Sequence, residues 1–158
     1  MKKVAIIYYS RGGNTKKMAE LVLEGVSSVV GVDAEMLDVT ETDVAKLPGY
    51  DGLIVGSPTY YGTMAWEIKR LFDESVKYHG KFDGKIGAAF TSAANIGGGN
   101  ETTIMDILKV MLVHGMIVRG TPKGDHYGPV AIGSPDDRAC EQSRELGIRI
   151  AELVNKAG

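Results

Sequence analysis

The stretch Val4-Ala5-Ile6-Ile7-Tyr8-Tyr9-Ser10-Arg11-Gly12-Gly13-Asn14-Thr15 changes character at its midpoint, where six apolar or aromatic residues run directly into a polar, glycine-rich segment. Met18, Leu21 and Val22 follow at helical spacing, so the whole reads as a buried strand, a tight turn and a helix. A turn of this kind aims several backbone N–H groups at one point, and the helix N-terminus adds partial positive charge. Ser10 to Thr15 therefore suit a phosphate. The hydroxyls of Ser10 and Thr15 and the amide of Asn14 supply further donors. The same residues also fit an ordinary strand-to-helix turn, with Thr15 as the helix cap and the glycines serving only backbone conformation. The remaining loops decide between the two.

Outward from this turn, short apolar runs alternate with longer helical segments. Strands are expected at Val4–Tyr9, Ala34–Val39, Gly52–Gly56, Ile86–Ser92 and Met116–Arg119, several of them continuously apolar, as strands covered on both faces must be. Met18, Leu21, Val22, Gly25 and Val29 make one helical stripe; Ala65, Ile68, Phe72 and Ser75 a second; Ile104, Ile107, Leu108 and Met111 a third. A last helix is expected to open at Ser134-Pro135-Asp136-Asp137, a cap, a proline in first position and acids in the first turn, with Cys140, Ser143, Gly147, Ile150 and Val154 on its buried side. This five-fold β–α alternation predicts an α/β fold built on a doubly wound, five-stranded parallel sheet. No repeat, low-complexity tract or linker interrupts it, so residues 1–158 are expected to form a single domain.

Composition narrows the function. Eighteen basic against twenty acidic residues give a net charge of −2, without the basic excess of a nucleic-acid binder, so no nucleic-acid partner is expected. No run approaches membrane-spanning length, and the apolar start before Ser10 is too short for a signal peptide. A cytoplasmic protein with no membrane span is the expectation. One cysteine, Cys140, excludes an internal disulfide and any multi-cysteine metal or iron–sulfur site, and is expected to pack.

In a doubly wound sheet, ligands lie beyond the C-terminal strand ends where the strand order reverses, which brings the loops at residues 10–15, 57–64 and 92–100 together. The second loop offers Pro58, the hydroxyl of Thr59, the aromatic faces of Tyr60 and Tyr61, and Gly62, where a peptide can turn over without hindrance from a side chain. The third, from Ser92, Ala93, Ala94 and Asn95 through Gly97 and Gly98 to Asn100, presents bare amides along which a flat ring can lie. A phosphate cradle, an aromatic wall and an amide-lined slot together describe a site for a planar mononucleotide. Taken singly, the aromatics fit a cover over a core edge and the glycines a mobile loop.

These three loops resemble those of the flavodoxin-like FMN-binding family over essentially the whole chain. Tyr9 to Thr15 is similar to its phosphate loop, and Gly56 to Gly62 and Thr91 to Glu101 to its two ring-binding loops. The second and third loops, with His114-Gly115-Met116 and Tyr127-Gly128-Pro129, are also similar to NAD(P)H:quinone oxidoreductases of the tryptophan-repressor-binding-protein type. The resemblance implies strand order 2-1-3-4-5 and FMN as cofactor. Ser10, Gly12, Gly13, Asn14 and Thr15 would hold its phosphate, with Pro58, Thr59, Tyr60, Tyr61 and Gly62 on one edge and face of the ring and Ser92 through Gly98 on the other. A stacked tyrosine disfavours the electron-rich reduced ring, and the Gly62 carbonyl, turned toward flavin N5, would favour one-electron reduction. Arg11 departs from phosphate loops that lack a nearby cation; it has two readings, a partner for the phosphate or a side chain in solvent.

Two functions follow from the resemblance. One is a flavodoxin, a carrier shuttling electrons between redox partner proteins that hold iron–sulfur or flavin groups; the short chain, with no room for a nicotinamide-binding domain, favours it. The other is an NAD(P)H-dependent quinone oxidoreductase, a homo-oligomer taking NAD(P)H and quinone in turn. The glycine-rich third loop and the segment from Arg119 to Gly133 favour that one. It is disfavoured because such enzymes usually carry inserted segments absent here. His126 lies in the long loop after the fifth strand, within reach of the flavin edge as proton donor or hydrogen-bond partner, or simply solvated. His114 is expected to end the third helix, where positive charge suits the C-terminus. His79 reads as a surface turn and Trp66 as an outward residue of the second helix.

Other occupants of this fold fail on particular residues. A response regulator needs acids where Tyr8, Tyr9 and Ser10 stand, and a low-molecular-weight phosphatase needs a cysteine in the phosphate loop. No Walker motif, dinucleotide fingerprint or nucleophile elbow occurs.

Overall fold

Adjacent residues of the apolar runs serve two different cores in the computed structural model, which describes residues 1–157. Seven strands, β1 (Lys2–Tyr8), β2 (Val32–Asp38), β3 (Gly52–Tyr60), β4 (Thr63–Met64), β5 (Ile86–Ala93), β6 (Ile117–Val118) and β7 (Val130–Ile132), are interleaved with helices α1 (Asn14–Ser27), α2 (Trp66–Glu74), α3 (Asn100–Val113) and α4 (Asp137–Lys156). Strand side chains alternate between faces. Ala5, Ile7, Leu53 and Val55 accordingly pack against Ile68, Phe72, Ile104 and Ile107 of α2 and α3. Val4, Ile6, Ile54 and Phe90 pack on the other side against Met18, Val22, Leu146 and Ile150 of α1 and α4. A strand wedged between two helical layers has no polar face, which is why these segments are apolar throughout.

The strand order is β2-β1-β3-β5-β6, every pairing along it parallel. Counting only these five principal strands, the order is the expected 2-1-3-4-5. The chain winds outward in one direction from β1 to β2 and in the other from β3 onward, so the switch point lies between β1 and β3, next to the turn that ends at Thr15.

Five local expectations are corrected. Strand β3 runs on to Tyr60 instead of stopping at Gly56, because Ser57 and Pro58 stay in register with Thr91 and Ser92 and the end of the strand folds back as a hairpin with β4. The fifth strand is split: only Ile117 and Val118 pair with the start of β5, and the chain leaves at Arg119 and returns as β7 beside Thr91–Ala93. The crossover from β2 to β3 holds no α-helix, only a six-residue 3-10 helix, Val44–Gly49, capped by the Asp43 carboxylate and containing Pro48. The alternation therefore has four α-helices. Helix α4 starts at Asp137, not at Pro135, because the Asp136 carboxylate accepts the Ala139 N–H at 2.8 Å and so caps it. Its buried face is led by Ala139, and Cys140 is only half-buried.

His114 does cap the C-terminal end of α3, but as a buried ring and not as an exposed one suited to carrying charge. Ser75 Oγ donates to the Phe72 carbonyl at 2.6 Å, so the 2.7 Å contact with His114 Nε2 has the ring nitrogen as donor. Burial, then the nearby charge of His79, pushes the His114 pKa below its ordinary value. No helix among the described residues is long and apolar enough to cross a membrane.

Candidate functional site

The turn after β1 ends in Gly13, which precedes α1 with φ 98°, a left-handed conformation that a side chain would strain. Its N–H is held by Ser10 Oγ at 3.1 Å, shaping the loop into a cup. Helix α1 has no side-chain cap and no acid in its first turn, so its leading N–H groups face outward without an acceptor from the chain. Thr15 is therefore not the cap. It sits inside the first turn, buried, with its hydroxyl 2.8 Å from Ser92 Oγ.

That bond joins the first loop to the third. Between them lies a cavity of about 260 Å³ whose first wall is Ser10, Arg11, Gly12, Asn14 and Thr15. Pro58, Thr59 and Tyr60 form the second wall, and Ser92, Ala93 and Ala94 the third. Gly133, at the end of β7, closes it; sequence reasoning missed this residue, whose N–H donates to the Ala93 carbonyl at 2.8 Å. Thr59 and Thr91 share a 2.9 Å hydroxyl bond behind the wall, and Tyr9 meets Tyr60 edge to face with ring centroids 6.4 Å apart. The neighbouring Glu67 carboxylate is the main cause that pushes the Tyr9 phenol above its ordinary pKa.

Tyr61 and Gly62 stand outside this cavity, at the tip of the β3–β4 hairpin. Their φ values, 49° and 79°, are those of a two-residue type I′ turn, the connection whose twist matches that of the strands. The tip is tied to α3. Thr102 Oγ donates to the Gly62 carbonyl at 2.7 Å, and Thr63 Oγ donates to Asp106 at 2.5 Å. Lys109 first, and then Thr63, holds the Asp106 carboxyl below the usual carboxylate range. A Cβ on Gly99 would stand 2.4 Å from Gly62 Cα, so the second and third loops touch through bare backbone. The Gly62 carbonyl, read from sequence as free to turn, is thus engaged by Thr102, which sequence reasoning also missed because the pair is forty residues apart.

Asn95, Gly97 and Gly98 continue the third loop beyond the cavity, Asn95 Nδ2 donating to the Ile96 carbonyl at 3.1 Å. His126 is not brought to the site. Its Nδ1 donates to the Thr121 carbonyl at 2.9 Å, and it lines a different cavity, beside Gly87 and Ala88 near the opposite end of β5. The physical reason is the split fifth strand, which carries residues 119–129 away from the C-terminal strand ends. Arg11 is exposed and lines the cradle. Trp66 opens α2 and is 64% exposed, outward as expected.

A doubly wound sheet with a donor-lined cradle at its switch point is the layout of an α/β protein built to take an anionic ligand. A family model described as flavodoxin matches residues 6–112. The chain is 43% identical to a flavodoxin of Aquifex aeolicus over 162 positions, covering 98% of this chain and 88% of the relative. A solved flavodoxin from the domain Archaea superposes with a TM-score of 0.81 at 31% identity, covering 97% of this chain and 99% of its own. This chain belongs to the flavodoxin family. It is also 32% identical to an NAD(P)H dehydrogenase (quinone) of Chromohalobacter salexigens, covering 99% and 98%, in an alignment that stretches to 198 positions. That relative carries segments that these 158 residues lack.

The family implies a flavin cofactor, and the residues fit one. A Cβ on Gly12 or Gly13 would meet nothing within 4 Å, which leaves room for a phosphate over the α1 N-terminus. The side chains lining the cavity carry hydroxyls, an amide and a guanidinium but no carboxylate, a donor set for an anion. Tyr60 and the small Ala93 and Ala94 leave flat walls for a ring.

Proposed function

We propose that this chain is a single-domain flavodoxin-type electron carrier, that its flavin is FMN, and that it works in the cytoplasm between redox partner proteins bearing iron–sulfur or flavin groups. The observation that carries the proposal is the uncapped N-terminus of α1 opening onto a cavity walled by three separate loops. Ser10, Gly12, Gly13, Asn14 and Thr15 hold the phosphate, chiefly through backbone N–H groups and the Thr15 hydroxyl, and Arg11 adds its charge at the rim. Pro58, Thr59, Tyr60, Tyr61 and Gly62 border one edge and face of the ring; Ser92, Ala93, Ala94, Asn95, Gly97 and Gly98 border the other. Bound there, FMN supplies a ring that takes up and releases electrons one or two at a time.

The Thr15–Ser92 hydroxyl bond fixes the distance between phosphate cradle and ring slot before any ligand arrives, which lowers the ordering cost of binding. The wholly exposed Tyr61 leaves the hairpin edge accessible to a partner protein. The flavodoxin relative aligns over 162 positions and the quinone dehydrogenase relative over 198, which supports the carrier over an enzyme with an inserted substrate region. The identity to the quinone dehydrogenase relative favours a second reading, an oligomeric NAD(P)H-dependent quinone oxidoreductase using the same cavity.

Anaerobic reductive titration of the FMN-loaded protein separates the two. A long-wavelength absorbance band that rises and then decays is expected of the carrier. Direct bleaching by NAD(P)H without that band would establish the oxidoreductase instead, and failure to bind FMN would overturn both.

A further inference from the structure

The split of the fifth strand leaves space that the core does not fill. Between the residues paired with β6 and those paired with β7, β5 has no neighbouring strand on its outer edge. The chain from Arg119 to Pro129 arches over this gap and is firmly tied. Asp125 receives Arg138 Nη1 at 2.6 and 2.7 Å and the Val130 N–H at 2.8 Å, while its own N–H donates to Gln142. Thr121 and His126 close the arch on itself with two hydrogen bonds, of 3.1 and 2.9 Å. Beneath it is a cavity of about 530 Å³, within the range that takes small molecules and about twice the volume of the cradle cavity.

Its walls are mostly apolar, with Ala88, Met105, Leu108, Val118 and Leu146, and Arg119 stands at one end. Arg149, one helical turn from Leu146 on the same face of α4, has a buried Nε with no hydrogen-bond partner. Burial, and then the like charge of Arg119, lowers its pKa, with Glu145 acting in the opposite direction. Neither guanidinium has a carboxylate within ion-pair distance among the described residues, and the arch's own acid, Asp125, is taken by Arg138. Arg119 is exposed at the cavity lining, and the half-buried Arg149, one turn beyond the Leu146 wall, keeps a buried donor without an acceptor.

We propose that this cavity is a second small-molecule site, distinct from the cradle, for an amphiphilic organic anion: a compact apolar body bearing one carboxylate. The body lies against Met105, Leu108 and Val118, and the carboxylate meets Arg119, with Arg149 behind the Leu146 wall as a second positive charge. The site is independent of the electron-transfer reading, since none of these residues borders the cradle.

Amide-resolved NMR of the FMN-saturated protein titrated with naphthoate tests it, with the uncharged naphthamide as control. Saturable shifts are expected at Gly87, Ala88 and residues 119–127, with naphthamide binding at least about tenfold more weakly. Arg119→Gln should weaken naphthoate by a similar factor and leave FMN affinity unchanged. Equal affinities for the two probes, shifts confined to Thr59 and Tyr60, or no saturable shift would overturn the proposal. Should Arg119→Gln not fold, the naphthoate–naphthamide comparison on the unsubstituted protein decides alone.

Discussion

The N-termini of α1 and α4 solve the same problem in opposite ways. Each has leading N–H groups without helical partners and a partial positive charge. At α4 the chain supplies the answer itself, through the Asp136 carboxylate on the Ala139 N–H and Asp137 in the first turn. At α1 it supplies none: Gly13 has no side chain, no acid stands in the first turn, and the hydroxyl inside the turn, Thr15, meets Ser92 and not the helix's own N–H groups. A helix end completed by its own sequence is structural, whereas one left incomplete at the sheet's switch point is a binding site.

If that contrast is right, giving α1 an anion of its own should abolish the difference. Gly12→Asp, at a position with open space, is expected to lower FMN affinity at least about a hundredfold (~3 kcal/mol), because a fixed carboxylate repels the phosphate it displaces. Isothermal titration of the unliganded variant measures this, and affinity within a few-fold of the parent would show that the phosphate lies elsewhere. Thr15→Val removes one charge-assisted donor and leaves Ser92 Oγ without its partner. A loss of about 1.5–3 kcal/mol, roughly ten- to a hundredfold, is expected in the same titration. Unchanged affinity would reduce Thr15 to a link between loops.

Asp136→Ala sharpens the comparison from the other side. It should cost about 1 kcal/mol of stability, a Tm decrease of roughly 2–4 °C, and leave FMN affinity untouched. The smallest effect belongs to a third helix end, the C-terminus of α3, where burial pushes the His114 pKa below its ordinary value. Its folded pKa lies below the unfolded 6.5, so the stability it contributes is complete above that value and is lost as pH falls through the folded pKa. Thermal melts should therefore show Tm falling with acidification by less than Asp136→Ala removes, with a flatter profile in His114→Gln.

The main strands and helical stripes were legible because burial on two faces demands unbroken apolar strands and a helix facing a sheet demands a period near 3.6. Ile6, Ile54, Ile68 and Ile104 announce their positions in this way. Boundaries set by a distant partner were not legible. The extension of β3 through Pro58 depends on Thr91 and Ser92, and the start of α4 on which of two adjacent acids reaches an N–H. The position of His126 is illegible for the same reason, since nothing in residues 116–133 reveals that the strand breaks after Val118 and re-forms at Val130.

Local chemistry determined, from the sequence alone, that this is an alternating α/β chain with a glycine-rich, acid-free turn before its first helix and two further loops suited to a flat ring. Those properties need only neighbouring residues, because strand burial, helix periodicity and turn conformation are short-range. Tertiary structure alone decided that Thr15 bonds Ser92, that Thr102 holds the Gly62 carbonyl, and that a second cavity opens under residues 119–129. Each joins or encloses segments far apart in sequence, and such contacts exist only once the sheet has set the distances between its strands.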